Sequence, residues 1–121
     1  MMEIYKTQDE GKDIGKISVI EKRCWIDLSE PTEDELNYVQ HFLGVEPSFL
    51  RDPLDEEEKP RVDVENNQVL IIVDLPYVGE NALNFGTIPM GIIVMEEHII
   101  TVCSRRNHII ELFKKNKIKT D

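Results

Sequence analysis

The sequence predicts an α/β fold, a mixed sheet with flanking helices, and three observations carry that prediction. Short alternating or β-branched segments recur along the chain, the strongest being Gln68 to Leu75 (QVLIIVDL). One well-punctuated amphipathic helix, opened by Thr32 and Glu35, interrupts them. The tally is about six or seven strands and two or three helices in mixed order, and such a set buries its apolar faces by packing helices on a sheet. At 121 residues the chain is long enough for one core and too short for two. We therefore expect a single domain spanning residues 1–121.

The elements follow in order. Glu3 to Thr7 has the mixed pattern of a strand, Gln8 to Asp13 is polar and contains Gly11, and Gly15 to Lys22 alternates, with Ile17 and Val19 set to share a face. Cys24 to Leu28 (CWIDL) is nearly continuous in apolar residues and reads as a buried strand with Trp25 in the core. Its one carboxylate, Asp27, is a candidate functional acid, although an acid near a strand end more often caps a turn or faces water. Thr32 and Glu35 form a capping box, and Glu33, Asp34 and Glu35 complement the positive end of the helix dipole. Leu36, Val39 and Leu43, with Phe42, make the apolar stripe, and Gly44 is the stop. Pro47 to Leu54 reads as a further helical turn with Phe49 and Leu50 inward. Arg61 to Glu65 and Gln68 to Leu75 form a hairpin about Asn66–Asn67, residues suited to positive φ. Pro76 to Asn84 is expected to be a loop. Thr87 to Met95 and Ile99 to Cys103 form a second hairpin, and Asn107 caps a last helix with a stripe at Ile109, Ile110 and Phe113. Lys114, Lys115, Lys117 and Lys119 suit the negative end of that helix.

The charge balance narrows the function. A net charge of -10 argues against nucleic acid, because binding phosphates takes clustered Lys and Arg. It suits cations or basic partners, and it also simply keeps a protein in solution. Cys24 and Cys103 are far apart in apolar runs and form no CxxC, so two buried thiols are expected and nothing demands a disulfide. The longest apolar stretch, Ile88 to Met95, is broken by Pro89 and Gly91 and falls short of the roughly 20 residues of a membrane helix. The N-terminus has no apolar segment of the signal-peptide kind.

Catalytic patterns are absent from the sequence. The six glycines are scattered, no GxSxG occurs, and neither Ser48 nor Ser104 has a recognisable base beside it. His41, His98 and His108 lack metal-ligand spacing and read as surface residues. The chain therefore reads as non-enzymatic. One stretch remains, Leu50 to Val62 (LRDPLDEEEKPRV). It sets five carboxylates, Asp52, Asp55, Glu56, Glu57 and Glu58, beside Lys59 and Arg61. Carboxylates are the ligands of hard cations, and magnesium needs only one or two of them because it keeps most of its waters. The spacing is not that of an EF-hand, so a weak cation site and a solvated acidic connector both remain open on these residues.

The order of motifs adds a further expectation. Trp25-Ile26-Asp27-Leu28 leads to Pro31-Thr32-Glu33-Asp34-Glu35-Leu36 and then to Leu43-Gly44. Phe49-Leu50-Arg51-Asp52, Glu58-Lys59-Pro60-Arg61-Val62, Val69 to Val73, Pro89-Met90-Gly91-Ile92-Ile93 and Ile99-Ile100-Thr101-Val102 follow. From Trp25 onward this resembles the N-terminal cytoplasmic domain of CorA-type magnesium transporters. The resemblance implies an α/β/α sandwich on the cytoplasmic side of the membrane, one part of a homopentameric channel. The stalk helix and the two membrane helices with their Gly-Met-Asn loop are absent from the chain. It also implies regulation by magnesium, which in the family binds between neighbouring cytoplasmic domains and holds the pore closed. The family's sensing Glu-Asp pair falls on Arg51 and Asp52. Asp52 matches and is the one residue expected to ligate metal; Arg51 puts a cation where the pattern has a carboxylate. The remaining ligands lie on stalk helices outside the chain, so magnesium binding by the chain itself is expected to be weak. Ion choice resides in the pore, which leaves a transporter of zinc or another divalent ion as the near alternative. A free-standing α/β binding protein is the distant one, since fold does not fix function.

Overall fold

The computed structural model describes residues 1–8, 13–78 and 85–115. Strands β1 (Met2–Gln8), β2 (Asp13–Ile17), β3 (Cys24–Ser29), β4 (Arg61–Glu65), β5 (Gln68–Val78), β6 (Phe85–Val94) and β7 (His98–Cys103) form one seven-stranded sheet in the order β2-β1-β3-β7-β6-β5-β4. β3 and β7 pair in parallel and every other neighbouring pair is antiparallel, so the sheet is mixed. Helices α1 (Glu33–Leu43) and α2 (Pro47–Arg51) cover one face, and α3 (His108–Lys114) lies on the other.

The local signals hold where they are local. Thr32 Oγ1 accepts from the Glu35 N–H and the Glu35 carboxylate accepts from the Thr32 N–H, which completes the capping box; Gly44 closes α1 at φ 70°. Asn66 and Asn67 both adopt positive φ, as a two-residue hairpin turn requires. Leu36 and Val39 of α1, with Phe49 and Leu50 of α2, pack on Ile4, Ile26, Leu28, Leu70, Ile72, Ile93, Ile100 and Val102 to form the main core. A smaller core on the opposite face joins Ile110 of α3 to Ile88, Met90 and Cys103. Cys24 belongs to the first cluster and Cys103 to the second, so the sheet separates the two free thiols. Burial pushes both thiols above their usual range, which makes them poor nucleophiles.

Several boundaries differ from the sequence expectation. β5 runs through Pro76, opposite Thr87, to Val78. Its pairing with β4 stops at Ile72, so beyond that point β5 is an edge where a residue lacking an N–H is tolerated. Pro89 of β6 is accommodated in the same way, because pairing with β7 begins only at Met90. The remainder of the expected loop, 79–84, and the expected turn at 9–12 lie outside the described residues. β2 ends at Ile17, leaving Val19 exposed, while Ile20 packs on the main core. Phe42 is 58% exposed and stacks on Tyr38 one turn earlier instead of facing the core. Phe113 is likewise exposed.

Between α2 and β4 a 3-10 turn, Asp52–Leu54, carries the buried Pro53 onto β6. The contact is close: a Cβ added at Gly91 would lie 2.4 Å from Pro53 Cγ. Glycine is required there by space, and this contact sets where Asp52 stands.

Candidate functional site

Asp52, the expected metal ligand, opens the 3-10 turn with its side chain 39% exposed. Its Oδ2 accepts from Arg61 Nη2 at 2.7 Å. The same guanidinium reaches Glu58 Oε1 through Nε at 3.0 Å and Asp63 Oδ2 through Nη1 at 3.1 Å. One cation thus stands among three carboxylates drawn from the turn, the connector and β4. Pairing with Glu58, then with Asp63 and Asp52, pushes Arg61 above its usual value.

The five acids that adjoin in sequence separate in space. Asp55 Oδ1 accepts from the Glu57 N–H and shapes the connector. Glu56 leaves the group to meet Arg105 Nε at 2.9 Å and Ser104 Oγ at 3.2 Å, and Arg105 holds its carboxyl below the usual range. Arg51 points the other way, toward α1, where it donates to Glu33, Asn37 and Gln40. Arg51 and Asp52, the positions expected to match a sensing pair, therefore face different neighbours, Arg51 braced to α1 and Asp52 to Arg61. Among the described residues no group of three or more His, Cys, Asp or Glu side chains is arranged to hold a metal ion. The half-exposed Asp52 carboxylate is a ligand of the type magnesium takes, but Arg61 already holds it. It does not by itself make a complete site.

A second polar centre surrounds Asp27, the candidate functional acid of β3. Asp27 is neither a cap nor solvent-facing: it is 2% exposed in the middle of β3. Its Oδ1 accepts from Thr101 Oγ1 at 2.8 Å and its Oδ2 from Ser29 Oγ at 2.9 Å. Trp25 Nε1 donates to Thr101 Oγ1 at 2.8 Å, so the ring expected in the core is half-buried, leaning on Tyr5, with its polar edge satisfied. The countercharge is Lys114 of α3, whose side chain is 4% exposed and whose Nζ lies 2.5 Å from Asp27 Oδ2 and 2.7 Å from Glu3 Oε1. Burial opposes the charge on Lys114, yet Asp27 and Glu3 hold it well above the usual lysine value. Burial likewise works against the Glu3 charge, and Lys114 and Lys16 outweigh it, bringing Glu3 down to about 2. The only available signal was a lone carboxylate inside an apolar run, and its partners lie on other strands and at the far end of the chain.

The family model described as "CorA-like Mg2+ transporter protein" matches residues 21–119. The chain belongs to this family. The cobalt/magnesium transport protein CorA of Methanocaldococcus jannaschii is 32% identical over 80 residues, which cover 66% of this chain and 24% of that protein. The structure of the soluble domain of CorA from the same organism matches with a TM-score of 0.78 at 25% identity, over 99% of this chain and 47% of that one. The complete M. jannaschii CorA structure gives a TM-score of 0.76 at 23% identity, over 100% of this chain and 39% of that one. The ZntB cytoplasmic domain of Vibrio parahaemolyticus gives 0.69 at 12% identity, over 93% and 47%, a likeness of fold alone.

The CorA-like chain thus spans about a quarter of its curated relative and under half of the solved soluble domain. Among the described residues no helix is long and apolar enough to cross a membrane. The expected mixed sheet with helices on both faces is the arrangement found, and it is consistent with the CorA soluble-domain fold.

Proposed function

We propose that this chain is a single regulatory domain, residues 1–121, on the cytoplasmic side of a membrane transporter of divalent cations, and that the cation it senses is magnesium. Membership of the CorA-like family, with a fold match along the whole chain, is the observation that carries the reading. Its partners would be further copies of the same subunit, five in the full-length assembly, with the membrane reached only through segments outside this chain. Asp52 is the metal ligand contributed by the domain. A hydrated magnesium ion there shares the carboxylate with Arg61 and draws its remaining ligands from a neighbouring subunit.

The mechanism is electrostatic. Acids crowded at a subunit interface repel one another, a bound divalent ion offsets that repulsion, and loss of the ion lets the packed state give way to a splayed one. Bound ion and open state compete only to the extent that the ion binds the packed state better. A transporter of zinc or another divalent ion is a second reading, since ion choice resides in a pore that none of the described helices is long and apolar enough to form.

The test is Asp52→Ala in the full-length transporter. Pore closure should be lost or should need more magnesium, while the domain stays folded, since a half-exposed ion pair contributes only about 0–1 kcal/mol. Unchanged magnesium inhibition would remove Asp52 from the sensor. In the isolated chain, a magnesium titration followed by NMR should give weak binding, with shifts gathered at Asp52 and Arg61.

A further inference from the structure

The network around Asp27 has no part in the magnesium reading, and its geometry is specific. In the sheet register Glu3 of β1 stands directly opposite Asp27 of β3, and Asp27 stands opposite Thr101 of β7. Two carboxylates facing each other on neighbouring strands repel, all the more where one of them is buried. The ammonium of Lys114 sits between them, 2.7 Å from Glu3 and 2.5 Å from Asp27. Lys16 supports the arrangement from β2, at 2.9 Å from Glu3. Lys114 lies 5.9 Å from the centre of the Tyr5 ring, and Glu111, one turn earlier on α3, approaches it at 3.5 Å.

The helix that brings this lysine has little else to hold it. α3 has seven residues, too few to be stable alone. Asn107 caps it by accepting from the Ile109 and Ile110 N–H groups. Ile110 is its one buried apolar side chain, and Phe113 is exposed. A buried ion pair is weak evidence of stability, and its best-attested role is to fix register.

We propose that Lys114 is a pin that docks α3 on the sheet in a single position and makes that docking all-or-none. Partial undocking leaves the Asp27 carboxylate buried, opposite Glu3 and without its cation, so loosely docked positions are penalised. α3 is either seated with Lys114 between Glu3 and Asp27 or released as a unit. The position of α3 on the sheet is thereby tied to a carboxylate in the middle of β3. Lys114 acts here as a positioning residue, and Trp25 reports its state through Thr101.

Hydrogen exchange of the 121-residue chain in metal-free buffer tests this without the magnesium reading. In Lys114→Met, the amides of residues 111–115 should exchange at least tenfold faster relative to those of β5 and β6, and the single indole N–H resonance of Trp25 should shift. If Lys114 merely adds general stability, α3 and the strands will quicken together with their ratio unchanged, and the proposal falls. Should Lys114→Met not fold, Asp27→Asn/Lys114→Met decides, because it strands no charge: faster exchange confined to α3 supports the pin, and wild-type protection of α3 overturns it.

Discussion

Asp27 and Asp52 show how little a residue's type says before its neighbours are known. Both are carboxylates next to apolar sequence, yet Asp27 is buried against Lys114 while Asp52 is half-exposed against Arg61. Asp27→Asn should destabilise the chain by about 3–5 kcal/mol, the range for breaking a buried ion pair by removing one partner. Lys114→Met, which the chain can escape by releasing α3, should cost less, and Asp27→Asn/Lys114→Met well under the sum of the two single effects. Urea unfolding of the three variants measures this; additive costs would mean that the pair does not act as a unit. Asp52 could be singled out in the sequence because its motif neighbourhood, Phe49-Leu50-Arg51-Asp52, is contiguous. The Asp27 network could not, because Glu3, Thr101 and Lys114 reach it only through strand register and helix docking.

Elements whose signals are local came out as expected. The α1 capping box, the Gly44 stop and the Asn66–Asn67 turn each depend on residues within one turn of chain. Edges were misjudged where a neighbouring strand sets them, as at Pro76, whose place in β5 depends on β4 having ended. The 3-10 turn that carries Asp52 rests on a contact of this non-local kind, Pro53 against Gly91. Gly91→Ala should push the turn off β6 and destabilise the chain by about 1–3 kcal/mol, as overpacking does. It should also separate Asp52 from Arg61, seen as shifts at both residues in NMR spectra of the variant. A variant with wild-type stability and unshifted Asp52 and Arg61 signals would show that the turn can slide without consequence.

The whole molecule is an acidic sheet protein whose acid tolerance depends partly on one carboxylate. The folded-state value of Glu3, about 2 against an ordinary 4.5, lies below its unfolded value. A group shifted this way contributes its full stabilisation above about pH 4.5 and loses it as pH falls toward 2. Stability measured by urea from pH 7 downward should therefore decline through that window, and Glu3→Gln should flatten that part of the decline. An identical decline in the variant would assign it to other acids. The sequence by itself determined the order of elements, the α1 caps, the net charge that argues against nucleic acid, and the run of motifs matching the CorA-like family, since all of these are written in contiguous residues. Tertiary structure alone decided which acids share a cation. It scattered four of the five clustered carboxylates among Arg61, Arg105 and the backbone, and it drew Glu3, Asp27 and Lys114 together from the two ends of the chain. The reason is physical: charge interactions fall off over a few ångströms of space, and distance along the chain does not measure that separation.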